Sequence, residues 1–170
     1  KPSFPKHNFE IKGYGELNEK QQKSASRYFE KTIFPMLTPM VFDPYHSFPI
    51  LMNNILIFGV VTKAVKSREK KKMSFIQLPQ NLPRFFEVTD KEKVIFVPIE
   101  KIVQQHFDRV FKNVDIISSS LFRVTRNGDF TLEESEDIEA NFLEEMKKKL
   151  KTRKTGRGVR MGVEEGADPW

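Results

Sequence analysis

Four arginines are the residues best suited to chemistry in this sequence. Arg123 and Arg126 stand on Leu121-Phe122-Arg123-Val124-Thr125-Arg126-Asn127-Gly128-Asp129-Phe130, and Arg157 and Arg160 lie near the C-terminus. A guanidinium offers a planar fork of donors that matches a carboxylate or a phosphate. Arg123 and Arg126 therefore admit two readings, an ion pair with the Asp129 turn or a contact to phosphate. Ahead of Arg157 runs a basic stretch, Lys147, Lys148, Lys149, Lys151, Arg153 and Lys154, on a helix whose start carries Glu133, Glu134, Glu136, Asp137 and Glu139. Acids at the start and bases at the end are what a helix macrodipole favours. Arg157 and Arg160 extend the basic run past the last helical turn, and that excess admits anion binding.

Other chemistry is harder to assemble. His7, His46 and His106 are far apart and show no metal-ligand spacing, and there is no cysteine to form a disulfide or a thiolate metal site. His46 sits in a proline loop between Tyr45 and Ser47 and reads as a structural residue bonding nearby backbone; Asp43 is a conceivable dyad partner, but no nucleophile stands beside the two. His106 borders the apolar stripe of a helix and reads as core packing. Gly156-Arg157-Gly158 follows a helix instead of opening one, so it is not a phosphate-cradling loop. The basic stretch 63–72 reads as the solvated tip of a hairpin.

A chain of 170 residues with 38% hydrophobic content suits one domain with its own core. Its net charge of +6 and pI near 9.4 favour an anionic partner. The longest apolar run, about Phe48 to Val61, is broken by Asn53 and Asn54 and is too short to span a bilayer. No secretory signal is visible in the first residues and the lack of cysteine fits a reducing compartment, so a cytoplasmic location is expected, with membrane association of the longer parent as the alternative.

The elements that must position these residues follow from periodicity. A short strand is expected at 8–11. Asn18 and Gln21 form a capping box that starts a helix with Ala25, Tyr28, Phe29 and Ile33 on one face, stopped by Pro35. Pro35, Pro39, Pro44 and Pro49 among apolar residues describe an extended, partly buried loop. Strands are expected at 55–62 (apolar on both parities, hence central), 73–78, 84–88 and 94–97. A helix follows Pro98 with Ile99, Ile102, Val103, His106, Phe107 and Val110 on its apolar side. The arginine-bearing strand comes next, with Phe122 and Val124 on one face and Arg123, Thr125 and Asn127 on the other. A long helix from about Glu133 carries Ile138, Phe142, Leu143, Met146 and Leu150 as a stripe, and 158–163 forms a last strand. The order predicts an α+β domain with one mixed β-sheet and about three helices packed on it. Leu56, Phe58, Val60, Ile95, Val97, Phe122, Val124, Phe142 and Met146 are expected in one buried cluster.

Several segments carry a family resemblance. The stretch Tyr28 to Pro39, then Asp43-Pro44-Tyr45-His46-Ser47-Phe48-Pro49, Leu82-Pro83-Arg84-Phe85, Phe96-Val97-Pro98-Ile99-Glu100, Phe122 to Asp129 and Arg157-Gly158-Val159-Arg160-Met161 resemble, in order, the middle domain of bacterial polyphosphate kinase. The resemblance covers about 11–164. It implies a lead-in at 1–17, the middle domain at 18–164 and the start of a linker at 165–170. It also implies a fold like the phosphohistidine phosphatase-like sheet.

The family's activity is reversible transfer of the terminal phosphate of ATP to inorganic polyphosphate through a phosphohistidine, with magnesium and usually as an oligomer. The implied partners are polyphosphate, ATP and ADP, and a second copy of the chain. In that family the phosphorylated histidine lies in domains after the middle one, and a helical domain that helps hold the nucleotide precedes it. None of His7, His46 and His106 matches that histidine, so no catalytic residue carries over, and this chain alone is expected to be inactive. Dimer contact and scaffolding beside the polyphosphate path are the roles implied for it. The competing reading is a basic nucleic-acid-binding module, against which stands the absence of a ribonucleoprotein strand signature.

Overall fold

The computed structural model describes residues 8–42, 48–65, 71–90, 93–126 and 158–166. The chain divides into two compact units, one of residues 1–39 and 78–114, the other of 40–77 and 115–170. Each has its own sheet. The single mixed sheet expected from the sequence is therefore two sheets, because alternation fixes which face of a strand is buried but not which strand it pairs with.

The first unit holds β1 (Phe9–Ile11), α1 (Glu19–Tyr28), β5 (Phe85–Asp90), β6 (Lys93–Pro98), α2 (Ile99–Gln105) and α3 (Phe107–Val110). Its strand order is β1-β6-β5, with β1 parallel and β5 antiparallel to the central β6. The expected capping box opens α1: Asn18 Oδ1 accepts from the Gln21 N–H at 3.0 Å, and Gln21 Oε1 accepts from the Asn18 N–H at 3.0 Å. The helix then widens into one π-turn, Phe29–Ile33, and tightens into a 3₁₀ turn, Phe34–Met36, at Pro35. Ala25, Phe29 and Ile33 are fully buried, as their shared face requires.

The helix after Pro98 is broken at His106, where a continuous one was expected. The ring supplies the reason: Nδ1 lies 2.8 Å from the Ile102 carbonyl, the acceptor that the residue's own N–H would take in an unbroken helix. That N–H goes instead to Val103 O at 3.0 Å, and the chain restarts as α3.

The second unit is built on β2 (Pro39–Phe42), β3 (Leu56–Ala64), β4 (Lys72–Gln77), β7 (Val114–Arg126) and β8 (Gly158–Val163) in the order β2-β4-β3-β7-β8. β3 is central, and Ile57, Phe58 and Val60 are buried from both parities, as its apolar run demands. One face of this sheet carries a cluster of Leu51, Ile55, Ile57, Phe75 and Phe122, with Met40, Phe42, Met73 and Val124 packed against it. The Phe75 ring meets Phe48 at 5.2 Å and Phe122 at 6.2 Å, both edge-on.

The expected single core cluster is thereby corrected. Ile95 and Val97 are buried on β6 in the first unit, whereas Phe58, Val60 and Phe122 belong to the second. Phe142 and Met146, with the whole helix expected from Glu133, lie outside the described residues.

Candidate anion-binding site

β7 and β8 run antiparallel, and their register brings the arginines together. Phe122 pairs with Val163, Arg123 with Gly162, Val124 with Met161 and Thr125 with Arg160, before a shift in register between Thr125 and Arg126. Opposed residues share a face of the sheet, so Arg123, Thr125, Arg160 and Gly162 stand on one side while Phe122 and Val124 serve the core on the other. Arg160 is the diagonal neighbour of Arg123, with Cα atoms about 7–8 Å apart by strand geometry. Both side chains are exposed. Among the described residues neither guanidinium has an acidic or hydrogen-bonding partner.

The surface over Gly162 is open. Gly162 directly opposes Arg123, and a Cβ added to it would meet no atom within 4 Å. The result is a cleft of about 400 Å³ lined by Asn54, Leu56, Arg123, Thr125, Arg160 and Glu164, among others. Volumes of this size suit a small ligand or part of a longer one. At the far end Glu164 is pinned to the ladder: its N–H donates to Leu121 O at 2.9 Å, and its Oε1 accepts from the Leu121 N–H at 2.9 Å.

A turn of two asparagines fixes this end of β7. Asn54 takes a left-handed backbone, φ 58°, and its N–H donates to Val124 O at 2.8 Å. Asn53 Oδ1 accepts from the Arg126 N–H at 2.8 Å. These are the residues that interrupt the apolar run in the sequence, and their amides and left-handed tolerance explain why they stand there. Arg126 falls on the other parity from Arg123. Its Nε donates to Leu51 O at 3.3 Å, so it ties the strand end to the preceding segment and does not line the cleft. Arg157 and the run 147–154 lie outside the described residues, as do Asp129, His7, Asp43 and His46.

Reading the sequence alone left four contributors out: Asn54, Gly162, Glu164 and the pocket role of Thr125. The alternation Arg160, Gly162, Glu164 was visible. Nothing in it said that this parity faces Arg123, because that depends on the register.

His106 is held in a different place and for a different purpose. Its Nε2 lies 3.0 Å from Ser26 Oγ, which is 2.8 Å from the Tyr14 hydroxyl, and its ring stacks on Phe29 at 4.4 Å. With Nδ1–H donating to the Ile102 carbonyl, Nε2 of the neutral ring accepts from the Ser26 hydroxyl. Both ring nitrogens are engaged, Nδ1 with the end of α2 and Nε2 across to α1, in keeping with the packing role read from the sequence. Among the described residues no group of three or more His, Cys, Asp or Glu is placed to hold a metal ion.

Arg84 and Glu100 form a two-pronged ion pair in the first unit, both guanidinium Nη atoms reaching the carboxylate of an acid that is only 7% exposed. The Ile99 N–H also donates to Arg84 O at 3.2 Å, which clamps the start of β5 to the start of α2. The acid is buried while the arginine reaches it from the surface, and that arginine is spent on structure.

Comparison with solved structures places this fold in a class. The crystal structure of polyphosphate kinase from Porphyromonas gingivalis superposes on 78% of this chain and 21% of its own with a TM-score of 0.68 at 23% identity, which defines a shared fold. The sequence goes further: residues 20–170 match the family model of the polyphosphate kinase middle domain, and the chain belongs to the polyphosphate kinase family. The polyphosphate kinase of Halalkalibacterium halodurans is 34% identical over 166 residues, 97% of this chain and 23% of that protein. That of Campylobacter jejuni is 38% identical over 165 residues, 96% of this chain and 23% of its own length. The chain thus spans under a quarter of the relatives it matches. These comparisons give the nucleic-acid-binding reading no support. No helix among the described residues is long and apolar enough to cross a membrane.

Proposed function

We propose that this chain serves as the middle domain of an enzyme that reversibly transfers the terminal phosphate of ATP to inorganic polyphosphate through a phosphohistidine. Its part is to bind phosphate and hold other parts in place, with the chemistry supplied elsewhere. The observation that carries the binding role is the pair Arg123 and Arg160, diagonal across Gly162 and lining one cleft, neither in salt-bridge contact with an acid among the described residues. Arg157 and the run 147–154 belong to this reading by their sequence alone, and Arg126, on the other parity, stands outside the cleft. Phosphoryl transfer needs a nucleophile that can carry the group and a preorganised cationic site. His106 is engaged on three sides, so it is no such nucleophile.

ATP and magnesium belong to the whole enzyme. A second copy of the chain is the expected oligomeric partner, and the cytoplasm the expected compartment. A likeness to the phosphohistidine phosphatase-like fold belongs to the same reading, supported by the parallel β1–β6 pair beside antiparallel β5.

The test is transfer from labelled ATP with magnesium. The isolated chain is expected to gain no acid-labile label and make no polymer, whereas the long enzyme does both. In the long enzyme Arg123→Glu with Arg160→Glu is expected to raise KM for polyphosphate at least tenfold. Label on the isolated chain, or an unchanged KM, would overturn the reading.

A further inference from the structure

Among the described residues β8 is an edge strand of its sheet, paired on one side to β7. The Glu164 N–H points inward, donating to Leu121 O at 2.9 Å. Bonding direction alternates along an antiparallel pair, so Gly162 and Arg160 also turn their backbone groups to β7, and Met161 and Val163 turn theirs outward. The side chains of Met161 and Val163 share the core face with Val124 and Phe122, yet they are 56% and 48% exposed. Outward backbone groups beside exposed apolar side chains make a template for another strand.

The strand is complementary to itself run backwards. Antiparallel pairing of two copies about a two-fold axis at Met161 lets the two Met161 residues exchange backbone N–H···O bonds. Their side chains then lie side by side on the apolar face. Arg160 comes to stand opposite the partner's Gly162, where a Cβ would meet no atom within 4 Å and a long side chain has room. The rungs of the polar face join into rows: Thr125, Arg160, the partner's Gly162 and the partner's Arg123. Two such rows bring four guanidiniums onto one continuous surface. Like charges so placed oppose the pairing, and a polyanion laid across the rows offsets the repulsion.

We infer that β8 joins two copies of this chain edge to edge, and that a phosphate polyanion over Arg123 and Arg160 of both copies closes the joint. This rests on the polyanion reading above and gives it a partner, a second copy of the chain. Binding and assembly are then one linked equilibrium.

The 170-residue chain has no cysteine, so one introduced thiol reports the register. Met161→Cys places its Cα about 5.5 Å from its counterpart, within the span of about 4.4–6.8 Å that a disulfide bridges. Val163→Cys, on the same edge and face, stands about 14 Å from its counterpart along the strands and is out of reach. Both variants are oxidised with glutathione disulfide at low salt, with and without tripolyphosphate in excess. Met161→Cys is expected to give at least tenfold more covalent dimer than Val163→Cys, and tripolyphosphate to raise that yield at least tenfold. Sedimentation of the unaltered chain is expected to shift from monomer to dimer on the same addition. Met161→Pro removes only an outward N–H, so it is expected to stay monomeric while still binding long polyphosphate, with circular dichroism confirming the fold. Equal cross-linking at the two positions, or an unaltered chain that binds tripolyphosphate and stays monomeric, would overturn the joint and leave the polyanion reading standing. No binding of long polyphosphate at all would remove both.

Discussion

Glu10 shows how a single half-buried residue ties a strand to its neighbour. Its carboxylate meets Lys93 Nζ at 2.6 Å and Lys12 Nζ at 3.0 Å, on the parallel β1–β6 pair. The hydrogen bond from Lys93 and then that from Lys12 hold the Glu10 carboxyl below its ordinary range, and the same Glu10 bond raises Lys93. For Glu10, a depressed folded value means stability present above the unfolded value and lost as pH falls through the folded one. For Lys93, a raised value means stability present below the unfolded value and lost as pH rises through the folded one. The pair should therefore support folding from the carboxylate range up to the lysine range and fade outside it. Carbon-detected NMR titration is expected to show the Glu10 carboxyl moving up in Lys93→Gln; an unchanged Glu10 titration would mean the pair is incidental. Glu100 is the stronger case, being buried. Glu100→Ala should cost about 1–3 kcal/mol, at the lower end of a broken buried pair because the Arg84 side chain, 45% exposed, recovers water. A thermal melt within error of the wild type would show that the clamp contributes nothing.

At the scale of elements, β7 and its asparagine turn decide where the site stands. Asn54→Gly should be nearly neutral and Asn54→Val should cost about 1–2 kcal/mol more, because a β-branched residue resists the left-handed backbone. Equal stability of the two would mean that the turn relaxes. Ser120 lies on the same strand, 1% exposed, and its hydroxyl has no hydrogen-bond partner among the described residues. Ser120→Ala should then be neutral or stabilising by up to about 1 kcal/mol, since it removes an unpaired buried polar atom. A clear loss in denaturant titration would reveal a partner for it.

How much of this could be read in advance differs from element to element. The capping box at Asn18, the central character of β3 and the parity of Arg123 against Phe122 were all legible, because each depends on residues a few positions apart. The division into two sheets was not. Ile95 and Val97 alternate just as Phe122 and Val124 do, and only strand pairing separates them. The break at His106 was hidden for a related reason: it depends on the ring bridging Ile102 to Ser26, which lies on another helix. Half of the candidate site was legible as arginines in excess. The other half, Gly162 and Glu164, waited on a register that no local pattern specifies.

For the whole molecule, the chain belongs to the polyphosphate kinase family, and it is proposed to bind phosphate while transfer is left to other parts of a longer enzyme. The central claim is that Arg123 and Arg160 are functional cations and not ordinary surface. It is tested most directly by titrating long polyphosphate into the chain and into the Arg123→Glu, Arg160→Glu variant across a salt series. Binding driven by release of counterions weakens linearly with salt on logarithmic axes, with a slope set by the number of charges engaged. The wild type is expected to bind at low salt with a steep slope, and the variant to bind at least tenfold more weakly with a slope shallower by about two. The same affinity and the same slope in both proteins would contradict the account.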